Sequence, residues 1–160
     1  MKQLLLLLSL TCSSFLSLPT YAAPSLSHPV LTSQGEQTTL SEFKGQVVYV
    51  DFWASWCGPC RKSFPWMNAM QAKYQQQGLA IVAINLDTEK ALADKFLSKL
   101  PAQFHVRFDP EGTTAQEFNL QGMPSSFIFN KQGELVQSHM GFFEEYASQY
   151  EQELVTLLKE

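Results

Sequence analysis

Val47-Val48-Tyr49-Val50-Asp51-Phe52-Trp53-Ala54-Ser55-Trp56-Cys57-Gly58-Pro59-Cys60 is the stretch from which the fold can be read. Its first seven residues are β-branched or aromatic apart from one acid. They are apolar on both alternating faces, which predicts a central strand covered on both sides of a sheet. From Cys60 onward the period changes: Cys60, Phe64, Met67, Met70 or Gln71, and Tyr74 recur at three- and four-residue spacing. That spacing predicts a helix from about Pro59 to Gln77, kinked by Pro65 and ended by Gly78. A Cys-x-x-Cys pair therefore falls where a buried strand hands over to a helix N-terminus.

Outward from this junction, Leu79 to Leu86 reads as a second buried strand. A helix follows from about Thr88 to Leu100, with Leu92, Phe96 and Leu100 inward and Pro101 as its stop. Strand, helix, strand, helix implies parallel pairing. Phe104 to Phe108 is a short strand, Asp109-Pro110-Glu111-Gly112 a turn, and Thr113 to Phe118 a short helix. Ser126 to Asn130 and Glu134 to Met140 flank Lys131-Gln132-Gly133, which predicts a hairpin. The last helix runs from about Glu144 to Lys159 with Tyr146, Tyr150, Leu154 and Leu157 as its buried stripe. Upstream, Gln37 to Leu40 and Phe43-Lys44-Gly45 form a short strand and turn. The fold class is α/β, a central mixed sheet flanked by helices.

The chain has 160 residues, 45% of them hydrophobic, enough for one domain with a full core. Its net charge of −4 is spread without blocks of like charge, which argues against nucleic acid or an anionic membrane surface as the main partner. Lys2, the apolar run Leu4 to Leu18, Pro19 and Thr20-Tyr21-Ala22 read as an export signal cut after Ala22. The run falls short of the ~20 apolar residues of a spanning helix, so cleavage is favoured over a retained anchor. Residues 1–22 are thus a signal peptide, 23–29 a flexible Pro/Ser linker, and 30–160 the domain. Cys12 leaves with the signal, and Ser9-Leu10-Thr11 before it does not suit lipid attachment. Only Cys57 and Cys60 remain, in a compartment where disulfides persist; the expected location is the periplasm.

A thiolate at a helix N-terminus is stabilised by unpaired N–H groups and the macrodipole, which lowers its pKa from ~8.5 towards ~7. Cys57 is then a nucleophile at neutral pH, and Cys60, one turn inward, is placed to resolve a mixed disulfide. A zinc site would need about four ligands, but there is no second pair, and His28, His105 and His139 lack ligand spacing. No metal or other cofactor is expected. A purely structural bridge closing so short a loop would contribute little. Asp51 interrupts the buried strand, where a carboxylate is costly unless paired or protonated. By alternation it faces the same way as Cys57, so it should lie under the dithiol with a raised pKa and accept a proton from Cys60. The alternative is a structural acid bonded to neighbouring backbone. Gly122-Met123-Pro124 precedes the hairpin, where Pro124 fits a strand start.

The segment Val50 to Cys60 resembles the active site of thioredoxins almost residue for residue. The wider chain, from about Pro29 to Glu160, is similar to the exported thioredoxin-like family of TlpA- and ResA-type disulfide reductases. That likeness rests on Leu40-Ser41-Glu42-Phe43-Lys44-Gly45, Arg61-Lys62-Ser63-Phe64-Pro65 and Gly122-Met123-Pro124-Ser125-Ser126-Phe127. The resemblance implies a thioredoxin fold, with Leu86 to Phe108 as a TlpA-like strand–helix insertion, and a cis bond before Pro124 beside the dithiol. It also implies an active-site and substrate-binding loop of Trp56, Gly58, Pro59, Met123 and Pro124, and exchange with disulfides of other proteins. Two departures stand out. Ser63 stands where reductases of cytochrome c maturation often carry a Glu, and Asp51 stands where some of them have Asn; the lysine that partners the acid in thioredoxins is also missing, with Ala83 in its place.

The expected activity is therefore a periplasmic thiol:disulfide oxidoreductase acting as a protein-disulfide reductase, because Gly-Pro between the cysteines resembles the reducing motif. In an oxidising compartment such a protein needs a membrane-embedded thiol reductase as electron donor. A monomer is expected. The alternatives are a dithiol oxidant, a cytochrome c maturation factor, and a thioredoxin-fold binding module or copper chaperone. The absence of nearby Met or His at ligand spacing weighs against copper. A thiol peroxidase would need a Pro-x-x-x-Thr-x-x-Cys pattern that is missing.

Overall fold

A computed structural model describes residues 24–160. The expected signal peptide, with Cys12, lies outside the described residues. Val47–Trp53 and Leu79–Asn85 form strands in which every residue is buried, as their uninterrupted apolar runs require. In chain order the strands are β1 (Pro29–Leu31), β2 (Gln37–Thr39), β3 (Val47–Trp53), β4 (Leu79–Asn85), β5 (His105–Phe108), β6 (Ser125–Phe129) and β7 (Leu135–Met140). The helices are α1 (Cys60–Tyr74), α2 (Lys90–Leu97), α3 (Thr113–Glu117) and α4 (Ala147–Leu158).

The sheet order is β2-β1-β5-β4-β3-β6-β7. β3, β4 and β5 are parallel, joined through α1 and α2, while β6, β7 and the N-terminal pair β1–β2 run antiparallel to their neighbours. This is the mixed sheet of the thioredoxin fold, with α2 and β5 inserted at one side. β5 reaches β4 only from Val82 onward, so the earlier part of β4 lacks a ladder partner on that edge. Buried Gln71 of α1 fills the gap: its amide donates to Leu79 O at 3.4 Å and accepts from Ile81 N–H at 2.8 Å.

The sheet separates two apolar clusters. One holds Tyr49, Trp53, Cys57, Cys60, Phe64, Met67, Ile81, Phe96 and Leu154; the other is built around Leu40, Val50, Phe52, Ile84, Phe118 and Phe129. Alternate residues of β3 therefore feed opposite clusters, and Asp51 falls on the side of the cysteines.

Three expectations need correction. Leu92 is exposed, because α2 is short and turns Ala93 and Phe96 to the core, leaving Leu92 beside Arg61 and Lys95 at a solvent groove. Tyr146 is half exposed, because it ends a separate 3-10 turn (Glu144–Tyr146) and is out of phase with Tyr150 and Leu154 on α4. The stretch before β1 is not a free lead-in: Leu26 is buried in the second cluster, and its carbonyl accepts a hydrogen bond from Ser41 Oγ at 3.1 Å. Among the described residues no helix is long and apolar enough to cross a membrane.

Candidate active site

β3 ends at Trp53, and the chain makes a tight turn, with Cys57 N–H donating to Ala54 O at 3.0 Å, before α1 starts at Cys60. Pro59 stands just before the helix with helical φ, where its missing N–H costs nothing. Cys57 and Cys60 are joined in a disulfide. The backbone N–H of Cys60 donates to Cys57 Sγ at 3.2 Å, a charge-stabilising contact once Cys57 is a thiolate. Cys57 is 4% exposed and Cys60 0%, so an incoming sulfur can reach only Cys57. Trp56, 71% exposed, stands beside it.

The loop is held from below by Asp87, which no motif marks, and by Arg61 and Ser63 of α1. Asp87, buried after β4, accepts from Ser55 N–H and Ser55 Oγ, both at 2.9 Å, and from Asn85 Nδ2 at 2.8 Å. Arg61 donates to Ser55 O at 3.3 Å and lies over the Phe96 ring at 4.6 Å. Ser63, fully buried, donates to Cys60 O at 3.0 Å, a local helix bond that leaves no acid at this position. Under the dithiol, Trp53, Phe64 and Phe96 form an aromatic triangle with centroids 4.7–5.0 Å apart, Phe64 meeting the other two rings edge-on.

Asp51 is 2% exposed, on the cysteine side of the sheet, and its Oδ2 has no hydrogen-bond partner. Burial alone pushes its carboxyl well above the usual carboxylate range. Its parallel-strand neighbour is Ala83, so no cation replaces the thioredoxin lysine from β4. On the other side its partner is Ser126 of β6, and Ser126 in turn faces His139 of β7. Tyr49, two residues earlier on β3, has its phenol raised by burial and then by the nearby Asp51 charge.

The Met123–Pro124 bond is cis. Phe52 pairs with Ser125, so Pro124 lies one register step further towards the end of β3 that leads into the dithiol. Met123 packs against the cluster that contains both cysteines, and Pro124 O accepts from Gly141 N–H at 2.8 Å. The structure thus brings Cys57, Cys60, Asp51 and the Met123–Pro124 segment to one end of one sheet. Asp87 and Glu153 carry no motif, and Ser126 of the Gly122–Phe127 segment and His139 give no sign in sequence that they stand in register with Asp51.

Comparison with known proteins agrees with this geometry. The Redoxin family profile matches residues 19–154. Thiol-disulfide oxidoreductase ResA of Bacillus thuringiensis subsp. konkukian is 32% identical over 108 residues, covering 68% of this chain and 62% of the relative. The chain thus spans less than two thirds of the length of the curated relatives it matches first. Among solved structures, a Chlorobium tepidum protein provisionally named thiol:disulfide interchange protein DsbE superposes with a TM-score of 0.80 at 43% identity. That match covers 87% of this chain and 99% of the other. StoA from Bacillus subtilis superposes at 0.66 with 25% identity, covering 81% and 98%. A profile match over most of its length, on a thioredoxin-fold sheet with Cys57–Cys60 at the strand-to-helix junction, places the chain: it belongs to the Redoxin family.

Proposed function

We propose that this protein is an exported thiol:disulfide oxidoreductase that works in the periplasm as a reductase of protein disulfides, using Cys57 and Cys60. The observation that carries the reading is the asymmetry of the pair. One sulfur is reachable and receives an N–H at a helix start, while the other is sealed on the side of the sheet that holds an uncompensated acid. The names of the relatives, thiol-disulfide oxidoreductase and thiol:disulfide interchange protein, support the same chemistry.

In the reduced protein the Cys57 thiolate attacks one sulfur of a substrate disulfide, forming a mixed disulfide and expelling a substrate thiolate. Asp51 takes the proton from the Cys60 thiol. The Cys60 thiolate attacks Cys57 Sγ, the Cys57–substrate bond breaks, and the second substrate thiolate leaves. Two electrons pass to the substrate and the Cys57–Cys60 disulfide forms. Trp56, Gly58, Pro59, Met123 and Pro124 supply the surface on which the substrate backbone lies. A membrane-embedded dithiol donor re-reduces the protein, because the compartment itself is oxidising.

The Gly-Pro pair favours the reducing direction. A thioredoxin-like potential near −270 mV differs from an oxidant's near −120 mV by about 7 kcal/mol for two electrons. Insulin reduction with dithiothreitol as donor tests the chemistry: wild type is active and Cys57→Ser is not. Equilibration with glutathione tests the direction, and a potential near that of the strong oxidants would overturn the reductase assignment.

A further inference from the structure

Asp51 has no cation beside it, so this buried carboxyl must shed its proton to solvent before it can take one from Cys60, and must do so again before the next turnover. The sheet register offers a polar way out. Ser126 stands directly opposite Asp51 in the β3–β6 ladder, and His139 directly opposite Ser126 in the β6–β7 ladder. Directly opposed residues share a sheet face with Cβ atoms about 4.5–5.5 Å apart, so the three side chains form a row running away from the cysteines. Ser126 Oγ lies 3.3 Å from His139 Nδ1. His139 Nε2 lies 2.9 Å from Glu153 Oε2 of α4, at ion-pair distance though without the alignment of a hydrogen bond. The other Glu153 oxygen accepts from Gln149 Nε2 at 3.2 Å, and the Glu153 side chain is 21% exposed. The row thus starts at a sealed carboxylate and ends at solvent.

Two further observations single out this row. On β3, β4 and β6 the other residues of this side are apolar or aromatic except Asn85, which is taken up by Asp87, so a serine and a histidine here have no packing advantage. The path also lies on the side opposite to Ala83, where no polar group is available.

We propose that Ser126, His139 and Glu153 form a proton path linking Asp51 to solvent, with His139 as a positioning residue for the step in which Cys60 is deprotonated. The proposal rests on the disulfide-exchange reading above. Asp51 receives the Cys60 proton and passes it to Ser126 Oγ, which releases its own hydroxyl proton to His139 Nδ1. The imidazolium then gives up its Nε2 proton to Glu153 or to water at the protein edge. The groups against His139 are Ser126 from β6 and Tyr150 and Glu153 from α4, while the Tyr49 phenol of β3 lies against Ser126 and near Asp51. The Tyr150 ring centroid is 4.8 Å from that of His139. Among the described residues no lysine or arginine is ion-paired with any of these.

The test uses Ellman's disulfide and the reduced full-length protein, and needs no natural substrate. Cys57 attack releases a first coloured thiolate, and Cys60 attack on the resulting mixed disulfide releases a second. The rate of the second release is followed from pH 5 to 9 for wild type, His139→Gln and Ser126→Ala. The proposal expects both variants to slow the second release about 10-fold at neutral pH, below the roughly 10²–10⁴ of direct acid–base catalysis, while the first is unchanged. It also expects His139→Gln to remove one inflection from the pH profile. Slower release with the wild-type profile shape in both variants would reduce the row to packing and overturn the proposal, as would profiles that superpose on wild type. Failure of the exchange reading is distinct: it appears as wild type that exchanges with Ellman's disulfide but leaves insulin intact.

Discussion

Replacing Asp51 by Asn separates the cost of the buried charge from its use. The carboxylate is almost wholly buried, one oxygen has no partner, and its β4 neighbour is Ala83. A buried polar group left unpaired costs about 1–3 kcal/mol and an ion more, so removing the charge should return about 2 kcal/mol. The gain must depend on pH. Burial raises the folded-state pKa of Asp51 above its unfolded value, so the folded state binds the proton more tightly. The stability this proton contributes is fully present below the ordinary carboxylate range. It is lost as pH rises from there through the raised folded value. Asp51→Asn should therefore match wild type near pH 4 and exceed it at pH 8–9. For a domain of this size about 2 kcal/mol corresponds to roughly 8 °C in Tm. Thermal unfolding of the oxidised forms at several pH values measures this directly. The same variant should slow the second thiolate release from Ellman's disulfide about 10²-fold, since an amide accepts no proton. A variant less stable than wild type at pH 8, or more stable by the same amount at every pH, would refute the reasoning.

Other substitutions probe the remaining parts of the site. Cys60→Ser should leave Cys57 attack intact but stall resolution, so that mixed disulfides with client proteins accumulate on non-reducing gels. Phe64→Ala removes the ring that Trp53, Phe96 and Phe104 share and should cost about 3–5 kcal/mol, read as a fall of roughly 10–20 °C in Tm. Gly141 has φ +85°, and an added Cβ would meet Phe143 Cε2 at 2.9 Å. Gly141→Ala should cost about 1–2 kcal/mol in urea unfolding and, by disturbing the bond to Pro124 O, raise KM for insulin.

The elements that carry the chemistry were legible because their patterns are pure. β3 and β4 are apolar but for Asp51 and the terminal Asn85, α1 shows an unbroken helical stripe, and the dithiol sits where one period gives way to the other. Asp51 was legible for the opposite reason, as a single charge in a run that excludes charge. What was hidden depends on partners distant in sequence. β1 is three residues long and exists because β2 and β5 pair with it. Leu92 and Tyr146 fit a helical stripe on paper, but helix phase depends on where each helix starts, and propensity leaves that open by several residues. Asp87 is an ordinary acid until the end of β4 sets it under Ser55, and Ser126, His139 and Glu153 are ordinary polar residues until the sheet register and α4 bring them together.

The dithiol is not mounted on the surface of the protein; both cysteines are members of the apolar cluster that includes Phe64 and Met67. Folding and electron uptake are therefore two sides of one thermodynamic square. The difference in folding free energy between the oxidised and reduced chains equals the difference in the free energy of reduction between the native and the unfolded disulfide. At about 1.4 kcal/mol for every 30 mV, a side chain that packs one redox form slightly better than the other tunes the potential without bearing any charge. Because the hydrocarbon neighbours of Cys60 belong to the same core, any substitution that changes how that core packs one redox form relative to the other is expected to shift the potential as well as the stability.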